Sequence, residues 1–166
     1  MNEQRKAELV EVERIARDIA ATMGLEVVEF IFHSQGRHSL LRVDIDRPGP
    51  EGVGLADCER LSRALSEKLD ESTFFGGAFE LQVSSPGIDR PIRSDDDLRR
   101  NAGRWVRVEF HDENGKVREA RGTLLPGIAD FVAIRGADDE EFQVPRARIV
   151  LLKQDIATGS GRRKNP

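Results

Sequence analysis

The last third of the chain contains only short apolar segments, and this restricts the fold more than any other feature. After Gly103 no stretch has the length and period of an amphipathic helix, but five are rich in β-branched and aromatic residues. These five expected strands cover residues 106–110, 120–125, 131–134, 141–144 and 149–152. Asn114-Gly115 is a typical hairpin turn between the first two. Short strands in such number bury their apolar faces by curling up, so we expect an all-β, SH3-like or Sm-like small barrel over residues 104–155.

The first part of the chain has longer segments with two different periods. One predicted helix has apolar residues at steps of three or four, namely Leu9, Val12, Ile15, Ile19 and Met23. A second helix is predicted around Cys58–Leu69, and strands are predicted at residues 25–32, 41–46 and 79–83. The strand at 41–46 alternates apolar and charged residues, so one of its faces is expected to be wet. We therefore predict an α+β domain over residues 1–92, with two helices on a small three-stranded sheet.

The two predicted domains are joined by a polar region. Ser94 is a suitable cap for a short helix, and Asp95, Asp96 and Asp97 complement the positive end of that helix. Residues 93–103 are accordingly interpreted as a linker with a short helix. Residues 156–166 are rich in Gly, Ser and basic residues, and we predict a disordered basic tail there.

Charge is divided unequally between the two parts of the chain. Residues 1–100 carry 20 acidic and 14 basic side chains, and residues 101–166 carry 10 acidic and 12 basic ones. An acidic domain favours basic surfaces, whereas a weakly basic one favours phosphate, although ordinary solubilising charge also explains the difference. The single cysteine, the lack of a signal peptide and the lack of an apolar run of about 20 residues predict a cytoplasmic protein without membrane association.

No arrangement of residues typical of catalysis is visible. His33, His38 and His111 are scattered without the spacing of a metal site, and Cys58 lies on the apolar side of its helix. The chain contains neither a GxxxxGK nor a GxGxxG phosphate-binding segment. We expect a protein that is not an enzyme, with no metal, no cofactor and no small-molecule substrate.

One segment, Val83–Ile92, has an unusual composition. A strand end leads into a Pro-Gly turn, and a charged pair then precedes a second proline. One interpretation is a stiff connector between domains, and the other is a pre-organised surface loop that binds a partner. The candidate partner-binding residues are Ser84, Ser85, Pro86, Gly87, Asp89, Arg90 and Pro91.

The run VSSPGIDRPI at Val83–Ile92 closely resembles the signature segment of the RimP family of ribosome maturation factors. Further similar stretches are GLEVVE at 24–29, LRVDID at 41–46, LADCERLSRAL at 55–65 and GTLL at 122–125. The resemblance spans residues 5–152 in order and without large gaps.

The resemblance implies a non-catalytic, cytoplasmic factor that binds the immature small (30S) ribosomal subunit and assists its maturation. It also implies contact with rRNA and with small-subunit ribosomal protein twelve, and we expect a monomer. The tail is a further candidate for binding rRNA phosphates, through Arg162, Arg163 and Lys164.

Two other functions are compatible with the residues alone. A stand-alone Sm-like RNA-binding regulator would use the barrel and the tail, although the barrel has few aromatic residues for base stacking. A hydrolase would use Ser84 or Ser85, but the chain lacks a GxSxG elbow and a histidine near these serines in sequence.

Overall fold

A computed structural model of the chain describes residues 3–35, 38–71, 74, 79–127 and 129–157. The residues form two compact units. The first contains the chain up to Arg47 and the segment Gly52–Pro86. The second contains Pro48–Glu51 and the chain from Gly87 onward, so it is discontinuous in sequence.

The first unit is an α+β domain. Its elements in chain order are α1 (Glu3–Thr22), β1 (Glu26–Gln35), β2 (His38–Asp46), α2 (Leu55–Asp70) and β3 (Glu80–Ser84). The sheet has the order β1-β2-β3, in which β1 and β2 are antiparallel while β2 and β3 are parallel and connected through α2. The predicted α+β class with two helices and three strands is confirmed for this unit.

The core of the first unit lies between the two helices and one face of the sheet. Its fully buried residues include Val12 and Ala16 of α1, Leu61 and Leu65 of α2, and Val43 of β2. The helix periods thus place their apolar stripes where the sequence predicts them. Asp57 holds the start of α2, because its Oδ2 accepts the backbone N–H of Gly54 at 3.1 Å.

The prediction of a wet face on β2 is wrong at two positions. Asp44 and Asp46 are 2% and 4% exposed, although both alternate with core residues on the face away from the helices. Arg42 donates two hydrogen bonds of 2.9 Å to the Asp44 carboxylate, and the Asp46 Oδ1 accepts the N–H of Arg47 at 2.8 Å. Burial of these two acids is therefore matched by hydrogen bonds.

The second unit is rich in β-structure. It contains α3 (Asp95–Asn101), β4 (Trp105–His111), β5 (Val117–Leu124), β6 (Phe131–Arg135), β7 (Glu141–Pro145), a 3-10 turn (Arg146–Arg148) and β8 (Ile149–Gln154). The strands form one antiparallel sheet with the order β7-β6-β5-β4-β8. A β-rich second domain after an α+β first domain is thus confirmed.

The hairpin between β4 and β5 lies where Asn114-Gly115 predicts it. Asp112 closes the turn, because its N–H donates to the Lys116 carbonyl at 2.8 Å and its Oδ1 accepts the N–H of Asn114 at 2.9 Å. Gly115 has φ of 75°, the left-handed conformation that this turn requires.

Residues expected to form a boundary and a linker contribute to the second core. Ile92 and Leu98 are 6% and 9% exposed and pack with Val106, Val108 and Leu152. The division between the units falls after Pro86, whereas the sequence led us to expect it after residue 92. The difference arises because isolated apolar residues in a polar region give no periodic signal, yet they fill a core.

A buried polar network holds Pro48–Glu51 in the second unit. Arg104 is 8% exposed, and its Nε donates to the Gly49 carbonyl at 2.8 Å while its Nη1 donates to the Asn101 Oδ1 at 3.1 Å. The Gly49 N–H in turn donates to the Arg100 carbonyl at 3.0 Å. Gln154 also donates to the Asn101 Oδ1, at 2.8 Å. A loop of the N-terminal half of the sequence is therefore an integral part of the second unit.

Candidate partner-binding site

The first three candidate residues belong to the first unit. β3 ends at Ser84, which lies opposite Asp44 on the parallel strand β2. The Ser84 Oγ donates to the Ser85 carbonyl at 3.1 Å, so this hydroxyl is used locally. Ser85 is exposed, whereas Ser84 and Pro86 are partly buried. Of the two hydroxyls, that of Ser85 is therefore the better placed to meet a partner.

The remaining candidate residues begin the second unit with a turn. Gly87 has φ of 79°, and a Cβ placed there would meet nothing within 4 Å. A side chain at this position would thus cost about 1–2 kcal/mol in backbone strain without a steric clash. Ile88 follows with 48% of its surface exposed, although it is a large apolar residue. The turn therefore presents an apolar side chain to solvent.

Asp89 and Pro91 attach the segment to β8. The Lys153 Nζ donates to the Asp89 Oδ1 at 2.8 Å, and Pro91 forms an isolated antiparallel bridge with Lys153. The Ile92 N–H donates to the Leu152 carbonyl at 2.7 Å. The hydrogen bond from Lys153 and the positive charge of that residue lower the pKa of Asp89. Asp89 is consequently ionised at neutral pH, and 87% of its side chain is exposed.

Arg90 is partly buried and is engaged in an interaction within the protein. Pro91 follows it and restricts its backbone to extended angles. The sequence left two roles open for this side chain, namely binding a partner and pairing inside the protein. Partial burial is compatible with both roles.

The aspartates that follow the candidate segment have structural partners. Asp97 and Ser94 cap α3 reciprocally, since the Asp97 Oδ2 accepts the Ser94 N–H at 3.0 Å and the Ser94 Oγ accepts the Asp97 N–H at 3.0 Å. Asp95 pairs with Arg146, and Asp96 pairs with Arg99. Within the ranges that the structure describes, no group of three His, Cys, Asp or Glu side chains forms a potential metal site.

The cysteine is placed as a core residue. Cys58 is 8% exposed, and burial together with the charge of Asp57 raises the pKa of its thiol. A protonated, buried thiol is a poor nucleophile. Among the described helices, none is long and apolar enough to cross a membrane.

Comparison with known proteins identifies the family. The sequence profile of the RimP N-terminal domain matches residues 15–89. The ribosome maturation factor RimP of Microcystis aeruginosa (strain NIES-843 / IAM M-2473) is 42% identical over 110 residues, which cover 66% of this chain and 70% of that protein. The chain belongs to the RimP family. The resemblance inferred from Val83–Ile92 is thereby confirmed.

The RimP N-terminal match includes only part of the candidate segment. It begins within α1 and ends at Asp89, so it covers Ser84 and Ser85 but stops before Arg90 and Pro91. The predicted phosphate-binding residues of the tail, Arg162, Arg163 and Lys164, lie outside the described residues.

The sequence missed the buried polar residues of the second unit. Arg100, Asn101 and Arg104 are each less than 9% exposed, although arginine and asparagine are usually surface residues. Since their partners include a carbonyl 55 positions away along the chain, at Gly49, no local pattern would have found them.

Proposed function

We propose that this chain is a ribosome maturation factor that acts without catalysis on the small (30S) ribosomal subunit. The observation that carries the proposal is the 42% identity to a ribosome maturation factor over 110 residues, in a chain whose first unit matches the RimP N-terminal domain. The buried thiol of Cys58 and the structural use of Asp95–Asp97 agree with a binding protein.

We propose further that the second unit is an SH3-like barrel. Five antiparallel strands in the order β7-β6-β5-β4-β8 support it, as does the single core that they share. Closure would require β7 and β8 to approach each other at the two ends of the sheet. The barrel would then present its charged outer face and the Gly87–Pro91 segment beside β8.

Within this function, we propose that the segment Ser84–Pro91 is the partner-binding site. Ser85 is exposed at the end of the first unit. In the second unit Asp89 is exposed, and the part of the segment from Gly87 to Pro91 is anchored by the Pro91–Lys153 bridge and the Ile92–Leu152 hydrogen bond. An anchored loop loses little conformational entropy on binding. The partner would be rRNA or a ribosomal protein of the immature subunit, with ribosomal protein twelve as the first candidate, and the factor would act as a cytoplasmic monomer.

Sedimentation tests the function directly. A lysate fractionated on a sucrose gradient and probed for this protein should show it with small subunits and their precursors, and not with 70S particles. Deletion of its gene should lower mature small subunits and raise unprocessed rRNA, most visibly during fast growth. A variant with Arg63→Glu, an exposed arginine of α2 outside the candidate site, is the complementation control.

An unchanged subunit profile in the deletion strain under fast growth would contradict the proposal. Recovery of the protein on small RNAs, and not on subunits, would instead support the stand-alone RNA-binding regulator.

A further inference from the structure

Three arginines of the second unit lie together where the 3-10 turn meets the residues before α3. Arg146 donates from its Nη2 to the Arg93 carbonyl at 3.1 Å, and Arg148 ends the same turn. Arg146 is itself held in place, because its Nη1 donates to the Asp95 Oδ1 at 2.5 Å and to the Ala129 carbonyl at 3.1 Å. The backbone at Arg93 and the turn are therefore fixed relative to each other, and we call the three residues the arginine cluster.

The positive charge of the arginine cluster is only partly neutralised. Arg146 forms an ion pair with Asp95. Arg93 and Arg148 are exposed, and none of the ion pairs within the described ranges involves either one. Two unpaired cations beside a fixed third create a local positive potential, which attracts an anionic ligand.

A cavity opens beside the arginine cluster. Arg93 and Arg146 line it, and its other lining residues are apolar, with Pro91, Leu98 and Val150 among them. Its volume is about 260 Å³. Sites for whole small molecules usually have roughly 300–1,000 Å³. The cavity therefore suits one flat or apolar group of a larger ligand whose charged part meets the arginines.

A nucleotide of single-stranded RNA has this combination of groups. The planar fork of a guanidinium matches the oxygens of a phosphate. Unpaired bases of RNA are bound out of the stack, between apolar or aromatic side chains, whereas the bases of a duplex are not accessible in this way. An acidic peptide would also attract the arginines, but it needs an apolar residue at a particular position to fill the cavity. RNA repeats the pairing of phosphate and base at every nucleotide.

We propose that the arginine cluster and its cavity bind an unpaired nucleotide of RNA. The flanking phosphates meet Arg93 and Arg148, and the base enters the cavity beside Arg146. The inference deepens the proposed function and rests on it, because a factor that acts on the immature subunit meets rRNA. It adds a site that shares only Pro91 with the Ser84–Pro91 segment.

The phosphate contacts are tested with a labelled RNA dodecamer of mixed sequence that does not pair with itself. Its dissociation constant from the full-length protein is measured by fluorescence anisotropy. The double variant Arg93→Gln/Arg148→Gln should bind about tenfold more weakly, since each exposed charge contact contributes a few-fold. The slope of log Kd against log salt concentration should become shallower by about 1.4, because each phosphate contact with a single strand contributes about 0.7.

The base contact is tested with a second strand. A dodecamer in which every nucleotide is abasic keeps the phosphates but has nothing to place in the cavity. It should bind the wild type about tenfold more weakly than the complete strand, which is at the lower end of the range for a bound base. This difference should shrink in Arg93→Gln/Arg148→Gln, because the arginines hold the nucleotide whose base enters the cavity.

A matched control removes the same charge from another part of the same unit. Arg118 and Arg135 are exposed and pair with Asp112 and Glu141, and neither lines the cavity. Arg118→Gln/Arg135→Gln should therefore bind the complete strand within about twofold of the wild type. The fluorescence of Trp105 during heating should show that both double variants are folded.

The proposal is overturned if Arg93→Gln/Arg148→Gln binds the complete strand as tightly as the control does, or if the wild type binds the abasic strand as tightly as the complete one. It is also overturned if an oligoglutamate peptide displaces the labelled RNA at a lower concentration than unlabelled RNA does. Absence of the wild type from small-subunit fractions would contradict the proposed function, whereas RNA binding that is lost only in Arg93→Gln/Arg148→Gln would still support the nucleotide site.

Discussion

Replacement of Arg104 by alanine should destabilise the second unit strongly. Its guanidinium donates to the Gly49 carbonyl at 2.8 Å and to the Asn101 Oδ1 at 3.1 Å, and only 8% of the residue is exposed. A hydrogen bond from a charged group contributes about 1.5–3 kcal/mol. In the variant the Gly49 carbonyl loses its hydrogen bond from Arg104, and we expect the full cost of that loss. The Asn101 Oδ1 still accepts a hydrogen bond from Gln154, so the cost there is smaller. We therefore expect a loss of about 2–4 kcal/mol in the free energy of unfolding.

The chain contains a convenient probe for this measurement. Trp105 is its only tryptophan and lies in β4 of the second unit, next to Arg104. Its fluorescence during heating reports the unfolding of that unit, whereas ellipticity at 222 nm is dominated by α1 and α2 of the first unit. For a unit of this size the midpoint should fall by about 10–20 °C in the fluorescence signal.

The matched control is Arg148→Ala, which removes an exposed arginine of the same unit and should change stability by no more than about 0.5 kcal/mol. Arg104→Lys keeps the charge but lacks the planar fork that reaches two acceptors, so an intermediate effect is expected. The reasoning is refuted if Arg104→Ala shifts the Trp105 midpoint no more than the control does.

Three further results are expected. Arg90→Ala should weaken binding to small subunits by about 1.5–3 kcal/mol more than its effect on stability accounts for; an affinity that falls only in proportion to unfolding would show a purely structural role. Burial raises the pKa of Asp97, but hydrogen bonds from Ser94 and Arg93 lower it further, so the net pKa is lowered. The Asp97 carboxylate therefore stabilises the folded state above about pH 4, and this contribution is lost as the pH falls below that value. As the pH is lowered, the melting temperature reported by Trp105 fluorescence should therefore fall more steeply in the wild type than in Asp97→Asn. Equal slopes in the two proteins would contradict this. A fragment of residues 1–92 should give a dispersed NMR spectrum, whereas an unfolded fragment beside a folded full chain would mean one shared core.

The sequence predicts those parts of the fold that depend on neighbouring residues. The stripe of α1, the hairpin at Asn114-Gly115 and the Ser94 cap of α3 are local patterns, and the structure has all three. The family assignment was also available from one segment, Val83–Ile92, because its composition is unusual.

The remaining features depend on residues far apart in sequence. Asp44 is buried with an arginine partner, yet its alternation with apolar neighbours is that of an exposed strand face. The Gly49 loop has the composition of any solvent-exposed turn, and only the folded second unit supplies the partner of its carbonyl. The core of the second unit likewise brings Leu98 and Val132 together, which no short window of sequence predicts.

The discontinuity of the second unit affects how this chain is to be cut, recombined and synthesised. A chimera that takes its second half from a relative must also take residues 48–51 from that relative. Otherwise residue 104 and the loop that it contacts come from two different proteins. During translation, Pro48–Glu51 leaves the ribosome before any strand of its own unit has been made. The loop can therefore form its hydrogen bond with Arg104 only after residue 104 has also emerged.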